Sequence, residues 1–380
     1  MMDIIKRLVE IGPRWSGRPA AAEAAHFLAN AFAGLGLTVE RQDYPFVGWE
    51  VDELPSLEVI EPEAGQASVA LMEYSGSTPT DGVTGELRPA GKGYIVPGLL
   101  EWPRYAIITD DGRVGGYLIA HIGLGGWLGP AIPLHNPEPF FPFPMAILAQ
   151  ADYERFEAWL REGRRVRVRF RTAGHLVSPL VGHNVIATLP GRTERTVVFV
   201  AHLDTAYGTP GAGNNAGGLQ ALFDLAARLS SRGSHHLTYR FLACDGGEWH
   251  YLGSRYFLQQ ERDAGRLAQI EAGINIDTVV AGDQLYFLAT PESMRRRAEQ
   301  VVSQLCLADR FRSVHYLGAL RGSDHYSFIQ ADIPAAEILF WPCQVYKLPE
   351  DDLRWVDERL IGLATEIAYA LACTYEEDTR

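Results

Sequence analysis

Residues 197–218, VVFVAHLDTAYGTPGAGNNAGG, constrain this chain more than any other stretch. Val197, Val198, Phe199 and Val200 form an apolar, mostly β-branched run that reads as a buried strand. The run stops at His202-Leu203-Asp204, and a loop rich in Gly and Pro follows. From 219 to 229 the apolar spacing is helical (LQALFDLAARL). Strand, polar loop and helix in this order are the unit of an α/β fold, and such folds gather ligands at the carboxyl ends of their strands. An imidazole and a carboxylate two residues apart at a strand end suit a metal site, where one binds and the other orients. The competing reading is a His–Asp pair that only ties down a loop.

Size and charge narrow the classes. At 380 residues, one large domain or two are expected. The formal charge of -13 argues against nucleic acid or an anionic membrane as partner. No apolar run is long enough to span a bilayer, and the first residues show no secretory h-region or cleavage site. Cys244, Cys306, Cys343 and Cys373 have no CxxC spacing and read as reduced, mostly buried thiols. A soluble cytoplasmic protein is therefore expected, with its oligomeric state open.

Along the chain, amphipathic spacing predicts helices over 3–11 and 20–36 and a strand over 38–44. From about 46 to 179 the pattern turns β-rich and crowded with Gly and Pro. Short apolar runs recur at 68–72, 105–109, 117–122, 145–148 and 166–170, with one helix at 152–161. The stretch 130–144, with Phe140, Phe141 and Phe143, reads as a long ordered loop that either closes over a pocket or packs locally. After Pro179 the α/β pattern returns. Strands are expected at 183–188, 239–244, 272–278 and 333–339, and helices at 253–260, 291–306 and 353–373.

The residues at the ends of these elements carry a family pattern. In order, the chain reads His202-Leu203-Asp204, Gly211-Ala212-Gly213-Asn214-Asn215-Ala216-Gly217-Gly218, Glu248 followed by Gly253-Ser254, Asn275-Ile276-Asp277 and Ser323-Asp324-His325. Together with Gly12-Pro13-Arg14 and His183-Asn184-Val185, this resembles the zinc aminopeptidases of peptidase family M28 over nearly the whole chain. The β-rich insert resembles the protease-associated (PA) domain that some members carry. The resemblance implies an α/β fold, a mixed twisted β-sheet sandwiched between helices. It divides the chain into a peptidase-like domain (1–45 and 180–380) and a PA-like insert (46–179).

For chemistry, the resemblance implies two zinc ions. One is held by the His of HxD and the Asp of NxD, the other by the second Glu of a Glu-Glu pair and a late His. A single Asp bridges both, and the first Glu of the pair is the general base. Metals of this kind activate a water and polarise the scissile carbonyl, while the Glu moves the proton. Carried over residue by residue, His202, Glu248 and Asp277 match. The bridging Asp falls on Asn214, the general base on Gly247, and the late His on Lys347 in Tyr346-Lys347-Leu348-Pro349. A catalytic zinc normally keeps three protein ligands plus water, and an ammonium repels a dication. At most one zinc, at His202 and Asp277, is expected, or none. With the metal gone, Lys347 is expected to pair with Glu248.

The candidate metal residues are thus His202, Asn214, Glu248 and Asp277. Asp245, His250 and Lys347 are the candidates for proton transfer in place of the missing base. Asp324, His325, Trp249 and Tyr346 are candidate substrate-binding residues, with core packing as the plainer reading of the aromatics. The leading reading is a degenerate member of the family that binds a peptide or small amide with little ordinary aminopeptidase activity. A second is an enzyme working in the same cleft with one metal or a metal-free acid/base set. A third is a structural or partner-binding protein.

Overall fold

The structure is a computed structural model and describes residues 2–96, 100–120 and 141–378. The chain divides into two compact units, Met1–Phe46 with Leu180–Arg380, and Val47–Pro179.

In the first unit, four parallel strands lie side by side in the order Ala335–Trp341, Ile270–Asp277, Thr196–His202 and Thr238–Cys244. Gln284–Thr290 pairs antiparallel with Ala335–Trp341, and Ser313–Leu317 runs parallel beyond it. On the other side, residues 185–189 pair antiparallel with Thr238–Cys244. The sheet is mixed, as the sequence implies, and sits between helices. Side chains alternate across a strand, and both faces here are covered. Val197, Phe199 and Ala201 enter the larger core, built with helices Asp3–Ile11, Pro19–Gly34, Gly217–Ser230, Glu292–Gln304 and Glu358–Glu377. Val198 and Val200 enter a smaller core under helices Leu252–Asp263 and His325–Gln330. Burial on both faces explains why the strand reads as an unbroken apolar run.

Parallel pairing has the consequence that matters for function: it brings the carboxyl ends of four strands to one edge. His202 and Asp277 are the last residues of their strands, and 245–248 and 342–347 follow directly on two others.

One expected helix differs. The helix foreseen over 353–373 is a short turn, Leu353–Trp355, followed by a helix over Glu358–Glu377. The Asp352 carboxylate accepts from the Arg354 N–H and that of Asp357 from the Arg359 N–H. Each Asp starts a new element as an N-cap, so apolar periodicity alone overruns the break.

The second unit is an antiparallel meander of Val83–Val96, Leu100–Ile108 and Val114–Ala120, extended by Met145–Leu148 and Val69–Leu71. Helix Gln150–Arg161 supplies Phe156 and Trp159 to its core, beside Leu87, Tyr105, Leu118 and Phe170. Phe143 lies edge-to-face with Tyr117 at 5.5 Å. Phe141 donates its N–H to the Tyr74 carbonyl at 2.9 Å, so this end of the loop packs locally, and residues 130–140, Phe140 included, lie outside the described residues.

Candidate functional site: a charge-balanced cluster

The loops leaving the four strand ends are fixed from behind by buried polar groups. The fully buried Arg14 guanidinium donates to the carbonyls of Leu203 (2.8 Å), Leu8 (2.9 Å), Pro210 (2.8 Å), Gly12 (3.1 Å) and Gly211 (3.2 Å). It thereby ties the end of the first helix to both ends of the 203–211 loop. Asp204, also fully buried, accepts from the backbone N–H of Gly247 (2.8 Å) and Glu248 (3.0 Å) and from the Ser16 hydroxyl (3.0 Å). Asp351 accepts from the N–H of Gly213 (2.6 Å) and Asn214 (3.1 Å), and burial pushes its carboxyl up to about 6. Asp204 thus presents Glu248, and Asp351 presents Asn214.

Five of the predicted residues, His202, Asn214, Asp277, Glu248 and Lys347, meet in front of this scaffold. His202 Nδ1 donates to the Asp204 carbonyl at 3.0 Å. Its Nε2 lies 3.2 Å from Asn214 Oδ1 and 3.7 Å from Asp277 Oδ2. Both ring nitrogens therefore face acceptors. Burial by itself would lower the His202 pKa, but the Asp277 and Asp204 carboxylates outweigh it and hold the ring well above its ordinary value. Burial likewise opposes ionisation of Asp277, yet His202, Ser323 and Thr278 keep its carboxyl below the usual range. Ser323 donates to Asp277 Oδ2 at 2.6 Å and accepts from the Asn275 amide at 2.8 Å. Thr278 donates to Oδ1 at 2.9 Å.

Glu248 stands on the other side. Its Oε1 accepts from the Asn214 amide nitrogen, and its Oε2 from the Lys347 ammonium. Asn214 thus points its oxygen at an imidazole N–H and its NH2 at a carboxylate. An aspartate there would set a second negative oxygen against Glu248, so the neutral amide suits a site whose cations are side chains. Lys347 also lies 5.3 Å from the centroid of the Tyr346 ring, which packs edge-to-face on Trp341.

The other candidates are placed elsewhere. Asp245 is fully buried and turned away: its carboxylate accepts from the N–H of His183 (3.0 Å) and of Gly246 (2.9 Å), and no hydrogen bond joins it to His202, Asn214, Glu248 or Asp277. Gly246, at φ +70°, makes the turn that separates it from Glu248. Burial and the neighbouring Arg255 push His250 down to about 4. The ring of His325 bonds the Leu320 carbonyl through Nε2 (2.9 Å), and its Nδ1 lies 2.9 Å from Glu337 Oε2. Asp324 accepts from Ser254 at 2.5 Å, and burial pushes it up to about 6. Trp249, 1% exposed, packs edge-to-face on Trp15 (5.1 Å) and Phe46 (5.3 Å). Among the described residues, no group of three or more His, Cys, Asp and Glu is arranged to hold a metal ion.

The profile of peptidase family M28 matches residues 184–372. Residues 184–372 are an M28 peptidase domain. The chain is 28% identical over 187 residues to the alkaline phosphatase isozyme conversion protein of Escherichia coli (strain K12), a match over 41% of this chain and 53% of that protein. It therefore spans about half the length of that relative. It is 24% identical to Aminopeptidase YwaD of Bacillus subtilis (strain 168) over 95% of this chain and 80% of that one. A solved zinc aminopeptidase from Bacillus subtilis matches the fold with a TM-score of 0.70 at 19% identity, covering 98% of this chain and 93% of the other. In the M28 domain, the residues that sequence reasoning missed are Asp351, Ser323 in its bond to Asp277, and Glu337. Asp351 sits 137 residues beyond Asn214, and nothing local marks it.

Proposed function

We propose that this M28 domain binds a peptide or small amide in the cleft at the strand ends and turns over ordinary aminopeptidase substrates little or not at all. The carrying observation is Gly247, where the family resemblance sets the general base. A Cβ built on Gly247 would lie 2.4 Å from the His202 Cβ and 2.6 Å from its Cγ. Real atoms do not approach so closely, so this backbone holds no side chain at 247.

The donor set supports the same reading. The two-zinc set of the family does not fit the residues present. On one side, Glu248 faces an ammonium and an amide N–H, neither of which binds a dication. On the other, His202 and Asp277 would be joined only by the Asn214 amide oxygen, where a catalytic zinc takes three imidazole or anionic ligands. The residues present recognise rather than activate: they offer fixed donors and acceptors at the strand ends. A protease-associated-like character for the insert belongs to this same proposal.

The test is hydrolysis of leucine 4-nitroanilide by the purified chain, with and without added zinc. A missing general base commonly costs about 10²–10⁴-fold, and turnover should be at least that far below an active aminopeptidase assayed in parallel. Robust, chelator-sensitive hydrolysis would overturn the reading.

A further inference from the structure

A second feature of the first unit lies apart from the strand-end cluster. An open cleft of about 390 Å³ runs between helices Leu252–Asp263 and His325–Gln330, and none of the residues that meet at the strand ends lines it. Its walls are fixed from beneath. Phe257 and Phe328 turn inward into the smaller core, with ring centroids 6.4 Å apart. The buried hydroxyls of Ser254 and Ser327 lie 2.9 Å apart, and Ser254 also donates to Asp324. The helices are tied through their inner faces, so the cleft between them is preformed.

One wall is cationic. Arg255, Gln259 and Arg262 recur at i, i+4 and i+7, share one side of their helix and are all exposed. The two arginines start two turns apart, about 10 Å along the axis. Among the described residues, neither has a carboxylate partner, and no Asp or Glu lines the cleft. Arg262 donates to the neutral side-chain oxygen of Gln259 at 3.3 Å. The carboxylates of the same helix are engaged elsewhere: Glu261 by Arg240 (2.8 Å) and Arg266 (2.7 Å), Asp263 by the Gln259 amide (2.7 Å). In a chain of formal charge -13 this is not part of a generally basic surface. A cleft lined by one sign of charge concentrates the opposite ion, and the guanidinium fork matches a carboxylate.

We propose that this cleft binds a small organic dianion with two separated carboxylates, one received by Arg255 and the other by Arg262. The volume is that of a small-ligand pocket. Gln330, on the facing helix, offers an amide to the part of the ligand between the two charges. A single small oxyanion would serve one fork and leave the other to water. Nothing in this depends on how the strand-end site is read.

The experiment titrates the full chain with α,ω-dicarboxylates from succinate to suberate, with monocarboxylates of matched length and with inorganic phosphate, all at constant ionic strength. Binding is followed by isothermal titration and by the rise in unfolding temperature. At least one dicarboxylate should bind about tenfold or more tightly than its matched monocarboxylate, the worth of one charge-assisted hydrogen bond. Arg255→Gln and Arg262→Gln, both at exposed positions that the fold does not need, should each weaken that dicarboxylate about tenfold or more. Arg296→Gln, at an exposed arginine of helix Glu292–Gln304, should leave its affinity unchanged. Absence of dicarboxylate binding, equal binding of the monocarboxylate or of phosphate, or binding that neither cleft substitution weakens would each overturn the proposal.

Discussion

The two sides of the site neutralise a buried carboxylate by different means. Asp277 is served by near neighbours: the hydroxyl of the next residue, a serine from the adjacent loop, and the imidazole at the end of the neighbouring parallel strand. Three independent groups share the work. Glu248 depends on one amide and on one ammonium that arrives from a loop 99 residues away. The side chains of that pair are 5% and 15% exposed, so solvent compensates little if either partner is lost. The first side is redundant and the second is not.

The largest expected effect tests that asymmetry directly. Breaking a buried pair by removing one member costs about 3–5 kcal/mol, because the other charge is stranded. Lys347→Met should therefore lower stability by about 4 kcal/mol in urea titration. Adding Glu248→Gln to Lys347→Met should return more than half of the loss. If the single variant is as stable as the wild type, the Glu248 side has support that the geometry does not show, and the contrast collapses.

A smaller effect is expected where the two sides touch. Gly247 lies against His202, so any side chain there presses on the His202–Asp277 side from the Glu248 side. Overpacking of this kind typically costs about 1–3 kcal/mol, and Gly247→Ala should cost about 2 kcal/mol by the same titration. Gly247→Glu should cost no less and should not create a general base, because its Cβ meets the same atoms. Stability equal to wild type in Gly247→Ala would show that the two loops move apart freely.

Much of this was legible in the sequence. Buried parallel strands write themselves as apolar runs, so Val197–Val200 could be read at once, and the motif order then placed His202, Glu248 and Asp277 at neighbouring strand ends. The Lys347–Glu248 contact was legible too, since a lysine at a position implied to face a carboxylate has one economical partner. Other features were not. The direction of Asp245 depends on a left-handed turn at Gly246, one residue further on, and sequence does not say which face a loop carboxylate takes after such a turn. Asp351 works through contacts to backbone N–H groups far away in the chain, which leave no pattern in side-chain chemistry. The break before Glu358 is a matter of capping, and two Asp residues override an apolar period that runs through them.

The smallest effect separates the two sides by pH. Asp245 lies behind the Glu248 loop, and burial together with the charge of Asp204 pushes its carboxyl up to about 7. A folded pKa above the unfolded value of 3.8 means that the folded chain holds the proton more tightly. Its stabilising contribution is complete below the unfolded value and is lost as pH rises through about 7. His202 follows the same sign in a higher window. Its folded pKa lies well above 6.5, so its contribution is whole below 6.5 and declines only above it. Between pH 5 and 6 the His202 side is therefore silent, while Asp245 loses about 1 kcal/mol of stability at 1.36 kcal/mol per pKa unit. Subtracting the unfolding curves of Asp245→Asn from those of the wild type isolates that loss from other carboxyls titrating nearby. The corresponding subtraction with His202→Gln should be flat from pH 5 to 6 and fall above 6.5. A wild-type–Asp245→Asn difference that stays constant from pH 5 to 6 would place the Asp245 proton elsewhere and remove the distinction between the two windows.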